Sequence, residues 1–226
     1  MMPDPVRLFH ITAIENLKAI CKAGKLICKN EGATQGSHYQ NIAHSGAQGA
    51  RSIKSVPNPP GGNIHDFVPF YFAPRSPMLS AIHNGRVEGC VLKQSDIIHF
   101  ETTVPRVLAH ETNIVFYDRN ATLRFSVAHT DTNLLATEIA WDLLTESPEL
   151  DGFCKYFQNR PSVDGYVDRM ERRLAEFLVK TSIPIECITR IGVTDEAVAE
   201  KVRAILTETS VKLEVEVMRD WYFMGQ

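Results

Sequence analysis

The sequence has little of what marks exported, disulfide-bonded or membrane proteins. Its five cysteines among 226 residues are scattered and form no C-x-x-C pair, which argues against a disulfide framework or a zinc ribbon. The longest apolar run, residues 68–73, is far short of the roughly 20 residues that a membrane span requires. The N-terminal segment lacks the apolar stretch of a secretory signal. We therefore predict a cytoplasmic protein with no membrane association.

The chain also lacks an excess of basic charge. Its 24 basic and 27 acidic residues give a net charge of −3. The composition, 44% hydrophobic and 23% charged, is that of an ordinary globular protein. Because there is no global positive field, any nucleic-acid site must be a local patch.

Generic catalytic and metal-binding motifs are missing as well. The eight histidines include no H-x-x-x-H pair with a suitable third ligand. A G-x-S-x-G elbow, a Walker loop and a G-x-G-x-x-G fingerprint are also lacking. These absences argue against a metalloenzyme, so we predict no metal ligands.

The first part of the chain predicts a strand, a helix and a long polar segment. Residues 7–11 predict a strand, and apolar residues at helical spacing from Ile14 to Cys21 predict a helix that ends before Gly24. Residues 28–60 are rich in Gly, Ser, Asn and Pro, with little periodicity. Loops longer than roughly 15 residues are usually functional, unless they are disordered. We therefore predict a binding loop here.

The centre of the chain predicts short strands and one capped helix. Residues 67–72 predict a buried strand in which Pro69 needs an edge or bulge position. Ser76, followed by Pro77, predicts the start of a helix. Further strands are predicted at residues 89–92, 96–100 and 114–117.

The C-terminal part predicts helices and strands in alternation. Residues 167–180 contain strong helix formers with apolar residues at helical spacing, and they predict a helix that contains Glu176. A strand is predicted at residues 188–193, a helix at 195–206, and a strand at 211–217 whose four alternating apolar residues face the core. With neither a repeat nor a linker, these elements predict one α+β domain over residues 1–226.

Several polar residues flank the predicted strands. They are His10, Thr12, Arg51, Tyr71, Arg75 and Glu176. Each also has a structural interpretation, because an isolated histidine on a strand, or a tyrosine in an aromatic strand, is more often a packed core residue. Composition and spacing alone leave the two interpretations open.

Three blocks of sequence are more specific. They are RLFHITAIENLKAI at residues 7–20, GGNIHDFVPFYFAPRSPML at residues 61–79 and RRLAEFLV at residues 172–179. With the Asp-Trp-Tyr-Phe of residues 220–223, they resemble the DarT family of DNA ADP-ribosyltransferase toxins over nearly the whole chain.

The resemblance implies an ADP-ribosyltransferase fold, in which a split mixed β-sheet core is flanked by helices and NAD lies in the cleft between the two sheet halves. The activity that it implies is transfer of ADP-ribose from NAD to a guanine or thymine base of single-stranded DNA. The implied site residues are Glu176 and Arg51 for catalysis, His10, Thr12, Tyr71 and Arg75 for NAD binding, and Met78, Asn120 and Arg172 for the acceptor strand.

The chemistry of the implied reaction suits these residue types. Cleavage of the nicotinamide bond develops positive charge on the ribose, which a carboxylate such as Glu176 stabilises. The acceptor nitrogen must lose a proton, and Arg51 is the implied helper in that step. His65 and Asp66 either order the loop that holds Arg51 or form only a structural turn.

Single-stranded DNA presents a base at lower cost than a duplex does. The local patch that we predict for binding it comprises Lys22, Lys25, Lys29, Arg51, Lys54, Arg169, Arg172 and Arg173. A macrodomain antitoxin is the partner that the resemblance implies, and we expect the enzyme itself to be a monomer.

One departure from the family pattern bears on the base. Asn120 stands where many thymine-modifying members have a histidine, within Asp118-Arg119-Asn120. The amide of asparagine has a donor NH₂ group and an acceptor oxygen, whereas a neutral imidazole has its donor and its acceptor on two ring nitrogens. Recognition of the base can therefore differ, and we favour guanine. The alternatives are an RNA or protein acceptor, NAD hydrolysis, and a catalytically silent nucleic-acid binding module.

Overall fold

The computed structural model describes residues 1–36, 39, 40, 42 and 45–225. The strands in this part are β1 Arg7–Ala13, β2 Lys25–Ile27, β3 Phe67–Tyr71, β4 Ile97–Thr103, β5 Ile114–Tyr117, β6 Ala128–His129, β7 Glu149–Leu150, β8 Phe153–Cys154, β9 Glu176–Lys180, β10 Ser182–Pro184, β11 Arg190–Val193 and β12 Glu214–Val217. The helices are α1 Ile14–Ala23, α2 Lys29–Thr34, α3 Ser45–Ile53, α4 Pro77–His83, α5 Val104–Leu108, α6 Leu135–Glu138, α7 Trp141–Leu144, α8 Arg169–Arg173 and α9 Glu196–Glu208.

An eight-stranded sheet organises the fold, in the order β12-β11-β4-β1-β3-β9-β5-β6. β11 and β12 run parallel, whereas the other neighbours run antiparallel, so the sheet is mixed as predicted. Within the described residues, no helix is long and apolar enough to cross a membrane.

The sheet splits between β1 and β3. These strands share one register pair, Phe9 with Tyr71, whereas β1 pairs with β4 along all seven of its residues. Pro69 faces this split, because its carbonyl oxygen accepts a hydrogen bond from the Nδ1 of His10 at 2.8 Å, and the nitrogen and oxygen of a strand residue point to the same side. Proline has no N–H to donate to a neighbouring strand. A position that faces the split is therefore equivalent to the edge position predicted for Pro69.

Local signals set the first helix and the fourth. Gly24 adopts the left-handed conformation (φ 65°) directly after α1, a conformation that glycine reaches at little cost. The Ser76 hydroxyl accepts a hydrogen bond from the backbone nitrogen of Leu79 at 3.1 Å, and Pro77 is the first residue of α4. Both predicted helix boundaries are confirmed.

Two apolar clusters stabilise the sheet. The larger contains most of the buried side chains, whereas the smaller comprises Val56, Ile64, Phe67, Val115, Tyr117, Ala121 and Leu178. In the larger cluster, a Cβ on Gly192 would lie 2.2 Å from the ring of Trp221. Only glycine therefore allows β11 to approach that ring so closely.

The predicted helix over residues 167–180 is wrong. The chain forms α8 over Arg169–Arg173 and then enters β9 at Glu176. β9 pairs with β3 on one side and with β5 on the other, so its residues are buried in the centre of the sheet. Pairing with two strands that are distant in sequence outweighs the helix propensity of these residues.

Three smaller predictions are also wrong. Residues 89–92 form no strand, and residues 28–60 contain α2 and α3 rather than one irregular loop, although residues 37, 38, 41, 43 and 44 of that segment lie outside the described residues. The third wrong prediction is that all four alternating apolar residues of 211–217 face the core. Val217 is 37% exposed, because β12 lies at the edge of the sheet.

Candidate active site

Glu176 begins β9, in the middle of one half of the sheet. The register places it opposite Tyr71 of β3 on one side and Tyr117 of β5 on the other. Residues that lie opposite each other in neighbouring strands project from the same face. Glu176 is fully buried, with 0% of its surface exposed. The fold thus places one carboxylate between two tyrosines and away from water.

Arg51, in the last turn of α3, pairs with this carboxylate. Its Nη1 donates to Oε1 of Glu176 at 3.0 Å, and the backbone nitrogen of Ala121 donates to the same oxygen at 3.2 Å. The other oxygen, Oε2, lies 2.8 Å from Nη1 but makes no hydrogen bond with the described residues. A buried acceptor without a donor is unfavourable for stability, so Oε2 has capacity for a further partner.

Charge pairing and burial shift the pKa values around Glu176. Burial by itself would lower the pKa of Arg51, but the attraction of Glu176 raises it above its ordinary value. Burial, followed by repulsion from Glu176, raises the pKa of Tyr71 above its ordinary value and that of Tyr117 to about 12. Both phenols are therefore neutral at physiological pH.

Sequence reasoning missed Tyr117. Its hydroxyl is buried and has no hydrogen-bond partner in the described part of the chain. The available sequence signal was its position at the end of the apolar run Ile114–Tyr117, which is also typical of an ordinary core residue.

His10 lies at the split of the sheet, beside Phe70 and Phe100. Because the carbonyl oxygen of Pro69 can only accept, Nδ1 of His10 carries the proton and Nε2 is left as an acceptor. Burial lowers the pKa of His10 from its ordinary value, which favours the neutral ring.

Thr12 belongs to a small hydrogen-bond network next to this split. Its hydroxyl accepts from the side-chain nitrogen of Asn16 at 3.0 Å, and Asn16 also holds the backbone of Gln40 through both amide atoms, at 2.6 and 3.0 Å. Asn16 was missed by sequence reasoning. The signal that could have found it is an amide within the apolar face of α1.

Arg75 is 7% exposed and follows β3 by four residues. Its Nε and Nη1 are buried and have no hydrogen-bond partner among the described residues, while its guanidinium lies 4.5 Å from the ring centroid of Phe223. Burial lowers the pKa of Arg75, although Asp220 partly opposes that effect. Buried guanidinium nitrogens without acceptors suit a bound anion.

Part of the predicted basic patch is wrong. Arg169 and Arg173 are each 2% exposed and bond to protein groups: Arg169 to Glu146 at 2.7 Å, and Arg173 to the carbonyl oxygens of Leu144 and Arg75, each at 3.3 Å. Their side chains support the loops around α8 and offer no surface to a DNA strand.

Lys29 and Lys54, two other members of the predicted patch, lie near Arg51 in space or in the chain. Lys29 and Arg51 both lower the pKa of His65, which burial and these two charges together bring to about 4. Nε2 of His65 is buried without a partner in the described residues. Lys54 donates to the carbonyl oxygen of Leu123 at 3.2 Å and so ties α3 to the segment after β5.

Asp66 has a clear local role. Its carboxylate accepts from the side chain of Asn30 at 2.7 Å and from the backbone nitrogen of Asn63 at 2.8 Å. These bonds join α2 to the turn before β3, and the bond with Asn63 belongs to the capping box of that turn, so they show the structural turn; neither reaches α3, which holds Arg51.

Asn120 precedes the residue whose backbone nitrogen binds Glu176. Its side-chain oxygen accepts from the backbone nitrogen of Thr122 at 2.9 Å and from the Thr122 hydroxyl at 2.6 Å. The amide therefore shapes the turn with its oxygen, and its NH₂ group remains for another partner.

Neither Arg172 nor Met78 contacts the Glu176 carboxylate among the hydrogen bonds and ion pairs of the described residues. Arg172 pairs with Asp168 at 3.0 Å, and Asp168 also binds Arg119 at 3.2 Å. Arg119 and Arg172 line one cavity of about 420 Å³. Met78, in α4, packs partly against the larger apolar cluster.

The geometry defines a class of site. A buried carboxylate next to the split of a mixed sheet, paired with one arginine and flanked by two neutral phenols, can stabilise positive charge that develops on a bound molecule. Its effect is strong because water is excluded. In the part of the chain that the structure describes, no group of three His, Cys, Asp or Glu side chains could hold a metal ion.

Comparison with known proteins identifies the family. The family model described as ssDNA thymidine ADP-ribosyltransferase, DarT, matches residues 9–223. A DNA ADP-ribosyl transferase of Thermus sp. (strain 2.9) is 34% identical over 223 residues, which is 98% of each chain. The chain belongs to the DarT family, and the predicted family is confirmed.

Solved structures of a Thermus relative resemble this fold closely. Thermus sp. 2.9 DarT in complex with ADP-ribosylated ssDNA superimposes with a TM-score of 0.86 at 33% identity, over 99% of both chains. Its complex with NAD⁺ gives a TM-score of 0.83 at 32% identity, over 99% of this chain and 100% of that one. The predicted ADP-ribosyltransferase fold is likewise confirmed.

Proposed function

We propose that this protein transfers ADP-ribose from NAD to a base of single-stranded DNA and releases nicotinamide. The observation that carries the proposal is Glu176, a fully buried carboxylate one strand away from the split of the sheet, whose Oε2 accepts no hydrogen bond from the described residues. Family membership and the Thermus complexes with NAD⁺ and with ADP-ribosylated ssDNA support the same reaction.

Glu176 is the proposed catalytic carboxylate. Oε2 accepts a hydrogen bond from a hydroxyl of the nicotinamide ribose, and the negative charge stabilises the positive charge that develops as the glycosidic bond breaks. Arg51 holds the carboxylate through Oε1 and lies where it can assist loss of the proton from the acceptor base. Tyr71, on the same face, supplies the ring that stacks against nicotinamide.

The remaining NAD contacts follow from unused hydrogen-bonding capacity. Nε2 of His10 accepts from a hydroxyl of the adenosine-side ribose, and the network around Thr12 fixes the neighbouring backbone. Arg75 binds the diphosphate with its two free nitrogens. NAD would thus supply hydrogen-bond partners to polar atoms of His10 and Arg75 that have none among the described residues.

The acceptor strand has a suitable surface in the segment after β5. Phe125 is 60% exposed, the guanidinium of Arg119 lies 5.2 Å from its ring centroid, and Arg124 is exposed nearby. Single-stranded DNA is bound by aromatic rings and arginines of this kind. Met78, Asn120 and Arg172 are the further acceptor contacts that we propose.

The test is mass spectrometry of single-stranded oligonucleotides incubated with NAD, one set lacking guanine and the other lacking thymine. We expect an ADP-ribose adduct in one set, with guanine favoured by Asn120. Glu176→Gln should remove the adduct, while Glu200→Gln, on the exposed face of α9, serves as the matched control and should not. An adduct on RNA or protein, or NAD consumption without any adduct, would contradict a DNA acceptor.

The wider role follows from the family. A DNA-modifying enzyme is toxic to its own cell, so we propose a macrodomain antitoxin that removes the adduct or sequesters the enzyme. We further propose that residues 1–226 act as one domain, in a monomer of the cytoplasm. Co-expression of a macrodomain partner should restore growth, and no restoration would count against this pairing.

A further inference from the structure

Tyr117 combines two properties that rarely occur together. It is 1% exposed, and its hydroxyl has no hydrogen-bond partner among the described residues. A buried hydroxyl without a partner costs stability, which a phenylalanine at the same position would avoid. The hydroxyl therefore calls for an explanation beyond packing.

The register places this unpaired donor next to an unpaired acceptor. Tyr117 and Glu176 lie opposite each other in the β5–β9 pair and share one face of the sheet. Oε2 of Glu176 is also buried and also lacks a hydrogen bond, while Oε1 is held by Arg51 and Ala121.

The protonation state of Tyr117 suits a donor. Burial and the charge of Glu176 raise its pKa to about 12, so the phenol keeps its proton through the physiological range. The ring itself is anchored in the smaller apolar cluster, beside Val115 and Leu178. Because the ring is anchored, the position of the Tyr117 hydroxyl is restricted.

We propose that Tyr117 is a positioning residue for Glu176: when the substrate binds, the carboxylate rotates, and the hydroxyl then donates to Oε2 and fixes its orientation during ADP-ribose transfer. This role rests on the proposed function. Arg51 lies within 3.0 Å of both oxygens, Ala121 donates to Oε1, and Tyr117 adds a hydrogen-bond donor at Oε2. A carboxylate held at both oxygens is oriented before the substrate reacts.

The test is Tyr117→Phe, which removes the hydroxyl and keeps the ring. We expect kcat for adduct formation to fall roughly tenfold or more, the loss typical of a hydrogen bond to a charged group. KM for NAD should stay within about twofold, because the bond acts on the carboxylate rather than on ligand binding. The melting temperature of the free enzyme should equal or exceed that of the wild type, since in the free enzyme the buried hydroxyl has no hydrogen-bond partner among the described residues.

Tyr222→Phe is the matched control. Tyr222 is also fully buried, but its hydroxyl donates to the carbonyl oxygens of Ile97 and Gly192, each at 2.9 Å. This variant should lose stability and keep kcat.

Each other outcome overturns the role of Tyr117. Unchanged kcat in Tyr117→Phe, a raised KM with unchanged kcat, or a loss of kcat together with a lower melting temperature would each do so. If the wild type and Tyr222→Phe form no adduct, the proposed function itself fails. If they do form it and Tyr117→Phe matches them, only this inference fails.

Discussion

Two buried glutamates in the same sheet have opposite surroundings. Glu101, in β4, is 5% exposed, and Glu176, in β9, is 0% exposed. Arg7 and Arg190 each bind one oxygen of Glu101. Glu176 has a single arginine and one oxygen without a hydrogen bond.

The region around Glu101 is a completed network. Arg7 also binds Asp151 at 2.7 Å, and the indole nitrogen of Trp221 donates to the same carboxylate at 2.7 Å. Arg190 extends the network to Glu216. Two arginines here serve three carboxylates, and both oxygens of Glu101 are bonded, which is typical of a structural role.

The region around Glu176 is incomplete. Three buried atoms, Oε2 of Glu176, the hydroxyl of Tyr117 and Nε2 of His65, make no hydrogen bond with the described residues. The two glutamates are therefore alike in burial and differ in how completely their oxygens are hydrogen-bonded.

The largest expected effect is on activity at Glu176. Glu176→Ala should reduce adduct formation by roughly a hundredfold or more, because the charge that stabilises the transition state is lost. Arg51 also loses its charge partner, so the free energy of unfolding should fall by about 2 kcal/mol, which thermal unfolding measures separately from activity. Full activity in this variant would remove Glu176 from the mechanism.

The complementary change is Glu101→Gln. It leaves Arg7 and Arg190 without their shared charge, so the free energy of unfolding should fall by about 3 kcal/mol. Adduct formation per folded molecule should stay at the wild-type level. Urea unfolding and the oligonucleotide assay measure the two quantities, and a stability close to wild type would break the comparison.

An intermediate effect on the free energy of unfolding is expected when the Arg51–Glu176 ion pair is broken. Arg51→Gln leaves a buried carboxylate uncompensated and should cost about 2 kcal/mol of unfolding free energy. The same change made in a Glu176→Gln protein should cost much less. A double-mutant cycle measures this coupling, and additive costs would show that the pair does not interact.

The smallest expected effect is at Asn120. Asn120→His loses the bonds from the amide oxygen to Thr122 and should cost about 1 kcal/mol of stability. It should change the preferred base more than it changes NAD turnover. The two oligonucleotide sets report the base, and an unchanged preference would exclude base contact by Asn120.

Much of the fold could be predicted from local sequence. The strand at His10, the ends of α1 and α4, and the strand of β5 depend on alternation, capping residues and glycine, all of which act within a few residues. The family could be predicted too, because its specific blocks survive in the sequence.

The details of the site could not be predicted in the same way. Glu176 was expected on a helix, Arg169 and Arg173 were expected at the surface, and Tyr117 and Asn16 were not expected to matter. In each case a contact between residues distant in the chain decides the outcome.

The sequence by itself determined the family, through its specific blocks, together with the end of α1 at Gly24 and the start of α4 after Ser76. The tertiary structure alone decided that Glu176 lies between Tyr71 and Tyr117, and that Arg51 reaches it from 125 residues away. The physical reason is that capping and propensity act between neighbours in the chain, whereas burial and strand register arise only when distant segments pack together.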